Sequence, residues 1–403
     1  MKSGSRTVSR LFNTLCYSWL LAVASFADSA RAELELHGFG SVRVGKMLPS
    51  ANNPRLVDMY ATEGLIWRDE TLFALQLNND LGQQLRLTIQ LMAKGYADFE
   101  PRLSLAFLSY QLTPNSQLDL GRIANPLFSQ SDTQYVRYAH DYARLPKAVY
   151  WNFEFETIEG LAYQHKWLLG DLAVKTRLVS GEFNGNTFKS VIPAGIPVKM
   201  HQIVNLSSEI SGQHWSWFGG WMQADADGTE INNQLIFPQI LPALAASGTS
   251  LAAQQQLLDA ISLSKKASYY YVGARWQWQH WKIEGERARY GVHDSADPEN
   301  TGTYIAISRR FEPFILTFHH EWNEQDINDF GFLDAIREPV LRQLGQQIYQ
   351  QLAAPNRFRM NVLTLRYDFQ DGASLKLDYL QGHDKLSTVG AFRGFSLGVD
   401  FVF

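Results

Sequence analysis

Cysteine is almost absent from this sequence. Cys16 is the only one among 403 residues, and it lies in an N-terminal segment that reads as cleaved. A mature chain without cysteine has neither disulfides nor thiolate chemistry, even in a compartment where disulfides form. Long apolar runs are missing as well. Beyond residue 32 no stretch approaches the roughly 18 apolar residues of a membrane-spanning helix, and no Pro-, Gly- or Ser-rich linker divides the chain. Excess positive charge is also lacking: the formal net charge is −4, which argues against nucleic acid as a partner.

The first residues have the three parts of a secretory signal. Lys2, Arg6 and Arg10 form a basic start, residues 11–27 are apolar, and Ala30-Arg31-Ala32 fits a small-x-small cleavage site. Asn13, Thr14 and Ser18 interrupt the apolar run and leave it short of a span, so cleavage is preferred over an anchor. Loss of residues 1–32 removes four basic residues and one acidic one, which moves the formal charge from −4 to −7. The mature chain, 33–403, is then expected to be a single domain.

What the mature chain does have is alternation. In its first segment Leu34, Leu36, Val42 and Val44 share one face, and Glu35, His37, Ser41 and Arg43 the other. Leu85, Leu87, Ile89 and Leu91 alternate in the same way with Arg86, Thr88 and Gln90. This period of two is that of a strand with one apolar and one polar face. About sixteen such segments are expected across the chain. Their connections alternate between short ones, such as 80–82, 168–170 and 370–372, and longer ones, such as 47–70, 124–157, 225–266 and 323–355. Short turns at one end and long loops at the other are the pattern of a transmembrane antiparallel β-barrel, with periplasmic turns and extracellular loops. Trp276 and Trp278, with Trp281 past their turn, and Trp215 with Trp217, cluster at strand ends as an interfacial aromatic girdle would. Helical spacing is expected within two loops, at about 254–266 and about 331–353. These helices would pack on the rim or act as a lid.

The final strand places Phe395, Leu397, Val399, Phe401 and Phe403 on one face. With the strand count and the alternation of connections, it makes the whole mature chain resemble the sixteen-stranded porins of Gram-negative outer membranes. The resemblance implies that Phe401 and the terminal Phe403 act as an assembly signal read by the barrel assembly machinery. It further implies a homotrimer in contact with outer-membrane lipid and lipopolysaccharide, with small hydrophilic solutes as cargo. It also implies that the third long loop, about 124–157, folds inward and sets the constriction. That loop lacks the acidic Pro-Glu-Phe-Gly pattern of general porins. The constriction candidates are Arg122, Asp132, Arg137, Asp141, Arg144 and Lys147. Their cationic excess leads to an expected preference for anionic or neutral solutes.

Selectivity of a wide pore follows its lumen charges. Alternation puts Arg43, Arg86, Lys175, Arg177, Arg275, Arg366 and Lys376 on the lumen face, opposed by Glu284, Glu286, Asp119, Asp378 and Asp400. A receptor or substrate-specific channel gated by the long loops is the second reading. A barrel hydrolase is a third, but no nucleophile elbow is recognised and no catalytic residue is assigned. Neither cofactor nor metal is expected. His319-His320-Glu321 fails as a metal site because adjacent strand residues point to opposite faces. Asp225-Ala226-Asp227-Gly228 lacks the third ligand of a calcium loop.

Overall fold

The computed structural model describes residues 34–48, 64–150, 155–187, 195–297, 299–326, 329–352, 358–384 and 390–403. The signal segment and its cleavage site lie outside the described residues, as do 151–154 of the third loop and 353 of the last helical segment. The first strands are β1 (Leu34–Leu48), β2 (Leu72–Asp80), β3 (Leu85–Lys94) and β4 (Pro101–Thr113). They continue as β5 (Ser116–Ala124), β6 (Thr157–Leu169), β7 (Leu172–Thr187) and β8 (Ile196–Ser211). The third group is β9 (Trp215–Asp227), β10 (Lys266–Trp278), β11 (Trp281–Val292) and β12 (Glu299–Phe311). The last is β13 (Phe314–Asp326), β14 (Phe358–Gln370), β15 (Ala373–Asp384) and β16 (Gly390–Val402).

Every strand pairs antiparallel with its sequence neighbours, and β16 closes on β1. The closing register runs from Phe39 opposite Val402 to Leu48 opposite Arg393. Closure satisfies each backbone donor and acceptor without an open edge, which a sheet in lipid requires. No helix among the described residues is long and apolar enough to cross a membrane.

Period two sorts the side chains. On β16 Phe395 and Leu397 are exposed outward while Ser396 and Asp400 are fully buried inside. Trp167, Trp217, Trp278, Trp281, Phe311 and Phe369 are exposed near the short turns, and Trp276 and Trp278 lie 6.2 Å apart. The sequence suggests that Gly38 and Gly40 leave a smooth face for close packing between subunits. The structure gives them another use: a Cβ at Gly38 would overlap the Phe403 ring, and one at Gly40 would meet the Phe401 ring. The glycines seat the chain's own terminal phenylalanines across the closing seam.

Several boundaries differ from the sequence reading. β8 begins at Ile196, five residues before the expected 201, because a register shift between His201 and Val204 breaks its alternation, with Gln202 at φ 52. The loop helices are Leu251–Ile261 and Pro339–Leu352, and a third, Phe237–Ala246, carries an internal Pro242 that hides it from a periodicity reading. All three bury apolar residues, including Ile240, Leu257 and Leu341, in one core with Phe128 and Val149 of the inward loop.

Candidate functional site

The chain turns inward after β5. Near the end of β5, Gly121 has φ +134, and a Cβ there would overlap the Ala106 carbonyl, so only glycine fits between β4 and β6 at this point of the strand. The neck is closed by Asn125, whose N–H donates to the Glu156 carbonyl at 2.9 Å. The Asn205 side chain on β8 donates to Asn125 Oδ1 at 3.1 Å. Phe128 then stacks near Tyr150, with centroids 4.6 Å apart, and edge-on to Tyr269 at 5.2 Å. These rings fix the upper part of the loop against β10 and β12.

The loop tip is held by reciprocal charge. Wall cations grip loop carbonyls: Arg366 Nη1 donates to the carbonyls of Tyr138 and His140, each at 2.8 Å. Lys376 Nζ donates to those of Arg137 at 2.6 Å and Tyr142 at 3.3 Å. Wall carboxylates take loop donors. Glu284 accepts from the Tyr142 hydroxyl at 3.0 Å, and Glu286 from the Tyr150 hydroxyl at 2.7 Å and Ser129 Oγ at 2.8 Å. Glu321 accepts from the Ala148 N–H at 2.6 Å. The Tyr138 hydroxyl accepts from the Gly372 N–H at 3.2 Å, in a short turn at the barrel's lower end. The loop therefore descends the full depth of the wall formed by β10–β16 and β1. Gly302 permits this contact, because a Cβ there would overlap the Ala148 carbonyl.

The sequence-derived constriction residues take different places. Arg122 is a correction: it sits on the outer face of β5, paired with Glu159 at 3.2 Å. Inward alternation at β5 falls instead on Asp119 and Ile123. Arg144 reaches Asp378 at 3.1 Å and Glu70 at 3.5 Å. Arg137 donates to the Glu70 carbonyl at 2.6 Å and to Ser41 Oγ at 3.3 Å. Both guanidinium groups thus turn to the wall, contrary to the expectation that they edge an opening. Asp141 is paired with Lys282 at 2.6 Å and Asp132 with Arg177 at 3.1 Å. Lys147 begins the short Lys147–Tyr150 helix.

All nine expected lumen residues stand on the inner face, but the wall makes two kinds of use of them. Arg43 is fully buried beside Asp400, which also receives Lys376 at 3.0 Å and the Ser41 hydroxyl at 2.6 Å. Arg275 pairs with Glu284 at 3.0 Å. Arg86, by contrast, is exposed at the lower mouth and binds Asp80 at 2.6 Å, and Lys175 is exposed. Tyr142, Tyr150, Glu70 and Glu321 were missed as loop anchors. Glu321 was legible in principle, since it shares the inward face of β13 with His319 and Thr317.

Burial holds the His140 imidazole down at about 4, partly offset by its bond to the Thr133 carbonyl and reinforced by the nearby Lys376. It is neutral at pH 7. His319 points inward to Glu321 at 3.2 Å and His320 outward to Asn361 at 2.8 Å, so the pair shares no site. Asp225 is taken by Lys266 at 3.1 Å, and Asp227 accepts from the Thr229 N–H. No metal-binding cluster occurs among the described residues. A Gly-x-Ser-x-Gly run that the sequence reading passed over spans 394–398, but Ser396 lies in the middle of a regular strand opposite Gly45 and Asp378. It has neither a histidine in register nor a strand-to-helix turn, so it is no nucleophile elbow.

The closed sixteen-stranded barrel with one loop folded along its inner wall matches known architectures. The outer-membrane channel DcaP of Acinetobacter baumannii superposes with TM-score 0.55 at 11% identity, over 92% of this chain and 97% of that one. An anion-selective porin from Comamonas acidovorans gives 0.54 at 11%, over 92% and 100%. OmpF of Salmonella typhi gives 0.55 at 11%, over 92% and 97%. This is a porin-type outer-membrane barrel fold. No family model matches the sequence, and no curated protein does. At such identity the porin fold is shared through strand pattern and closure, with little side-chain correspondence.

Proposed function

We propose that the chain is an outer-membrane porin of a Gram-negative bacterium, forming a water-filled channel for passive diffusion of small hydrophilic solutes. The observation that carries this reading is the one-sidedness of the inward loop. Most of its bonds go to β10–β16 and β1, with ties to Arg177 on β7 and Asn205 on β8. On β2–β5 it meets Lys94, which pairs with Glu156 at 3.0 Å and lies over the Tyr135 ring, and the rest of that inner face bonds within itself. There Gln90 donates to Gln76 at 2.8 Å, Ser104 to Gln90 at 2.7 Å, Thr88 to Asn78 at 3.1 Å and Gln117 to Asp119 at 2.6 Å. An amide- and hydroxyl-lined wall facing a docked loop leaves a polar passage between them, with the 124–157 loop as its narrowing element. Because Arg137 and Arg144 are engaged by the wall, any anion preference comes from cations elsewhere in the lumen.

Reconstitution in planar bilayers tests the reading. Stepwise ohmic conductance is expected, with a reversal potential displaced toward anion permeation under a salt gradient. Absence of conductance from correctly folded protein would falsify the channel. A homotrimer, as in the porins it resembles, is expected on native gels of detergent extracts. A receptor gated by its loops is the second reading, favoured by the apolar core that joins the Phe237–Ala246, Leu251–Ile261 and Pro339–Leu352 helices to the inward loop. Under that reading, conductance appears only after deletion of these helices.

A further inference from the structure

Among the described residues, charge on the inner face is closely matched, with one exception. Arg144, Arg275, Lys282, Arg366 and Lys376 each meet a carboxylate or carbonyl. On β6 and β7, Lys166 and Lys175 stand directly opposite one another, both on the inner face, both exposed and neither with a side-chain partner among the described residues. Like charges directly opposite across two strands repel. Two residues along, Arg177 binds Asp132 through Nη1 at 3.1 Å. Its Nε is buried with no hydrogen-bond partner. Two exposed ammonium groups therefore stand side by side on one stretch of wall, next to the Arg177 guanidinium.

Lys175 and Arg177 also line a cleft of about 60 Å³, together with Ser129 and Asp132 of the inward loop and with Phe218 and Tyr271. Glu209, directly opposite Lys175 on β8, and Asp132 balance Lys175 and Arg177 within the cleft, and Lys166, across from Lys175 on β6, adds the positive excess. Lys166 and Lys175 have no side-chain hydrogen bond among the described residues, and the rings of Phe218 and Tyr271 give an apolar surface in the cleft that Lys175 lines.

Resting on the porin reading, the geometry points to this cleft as a solute-binding subsite for small organic carboxylates with a flat apolar body. The carboxylate is taken by Lys175 at the cleft with Lys166 beside it on β6, and the body lies against Phe218 and Tyr271. A charged pair of donors in a confined site is stronger than the same pair in water. It also slows the solute at one point of the passage and biases entry toward anions.

Benzoate is the probe, with benzylamine and benzyl alcohol as cationic and neutral counterparts. In planar bilayers benzoate is expected to block the wild-type current reversibly and in a concentration-dependent way, with the two counterparts at least tenfold weaker. A Lys166→Gln, Lys175→Gln double variant weakens the benzoate block by at least tenfold. Lys46→Gln, a change on the outer face of β1, leaves it unaltered. Current that flows but is blocked equally in wild type and double variant, or equally by benzylamine, overturns the subsite and leaves the porin reading standing. If no current flows, saturation-transfer NMR of benzoate on the folded protein in detergent decides. Signal lost in the double variant upholds the subsite, and equal signal overturns it.

Discussion

On the β10–β1 side of the barrel the inward side chains are Glu284, Glu286, Glu321, Arg366, Lys376 and Asp400, all buried and all bonded. On the β2–β5 side they are mostly Gln76, Asn78, Thr88, Gln90, Ser104 and Ser109, bonded to each other along and across the strands. The difference follows the inward loop. Where it covers the wall, water is excluded and ionised groups persist only as pairs or with several hydrogen bonds, since an isolated buried charge is costly. Where it does not, neutral amides and hydroxyls suffice. A wall of charge is therefore here a docking surface rather than a selectivity surface. The alternation that exposes an inner face cannot by itself tell which.

The largest test removes a buried partner. Asp400→Asn leaves Arg43 and Lys376 without their carboxylate at the β1–β16 seam. The expected cost is about 3–5 kcal/mol, read as a lowered midpoint of thermal unfolding in detergent. Asp119→Asn, on the other wall, removes an acceptor for Ser109 and Gln117 and should cost only about 1 kcal/mol. Equal shifts in the two variants would erase the distinction between the walls.

Acid provides the next test. His140 is held at about 4 in the folded loop against about 6.5 when unfolded. A depressed histidine means that the unfolded state binds more protons between these values, so stability is present above pH 6.5 and is lost as pH falls toward 4. The loss is roughly 3 kcal/mol. It falls on the loop tip, beside Lys376 and Lys282. Conductance of the wild type should change between pH 7 and pH 4, and His140→Gln should flatten that change. Identical pH profiles would show that the tip is not held as described.

The smallest effect on stability is expected from Gln90→Glu on the uncovered wall, within about 0.5 kcal/mol. That variant should move the reversal potential toward cations. Arg144→Gln should instead lower the unfolding midpoint and leave the reversal potential nearly unchanged. The opposite assignment of these two results would reverse the roles of loop and wall.

Several features were legible before any coordinates because they depend on neighbouring residues alone. Period-two alternation, short turns such as 168–170 and the Phe395-to-Phe403 face determine strand number, closure and which side chains look inward. Arg122 shows the limit: its charge suggested the constriction, but its parity in β5 sends it outward to Glu159. Arg137, Arg144, Glu286 and Lys376 were recognisable as loop or inner-face charges. Their pairing was not, because Arg144 and Asp378 are separated by 234 residues and meet only when the loop descends along β15. Sequence by itself determined the barrel and its inner face, since lipid and backbone hydrogen bonding impose those through local pattern. The tertiary structure alone decided which part of that inner face is buried by the loop, because long-range contact depends on how the chain returns and not on its local period.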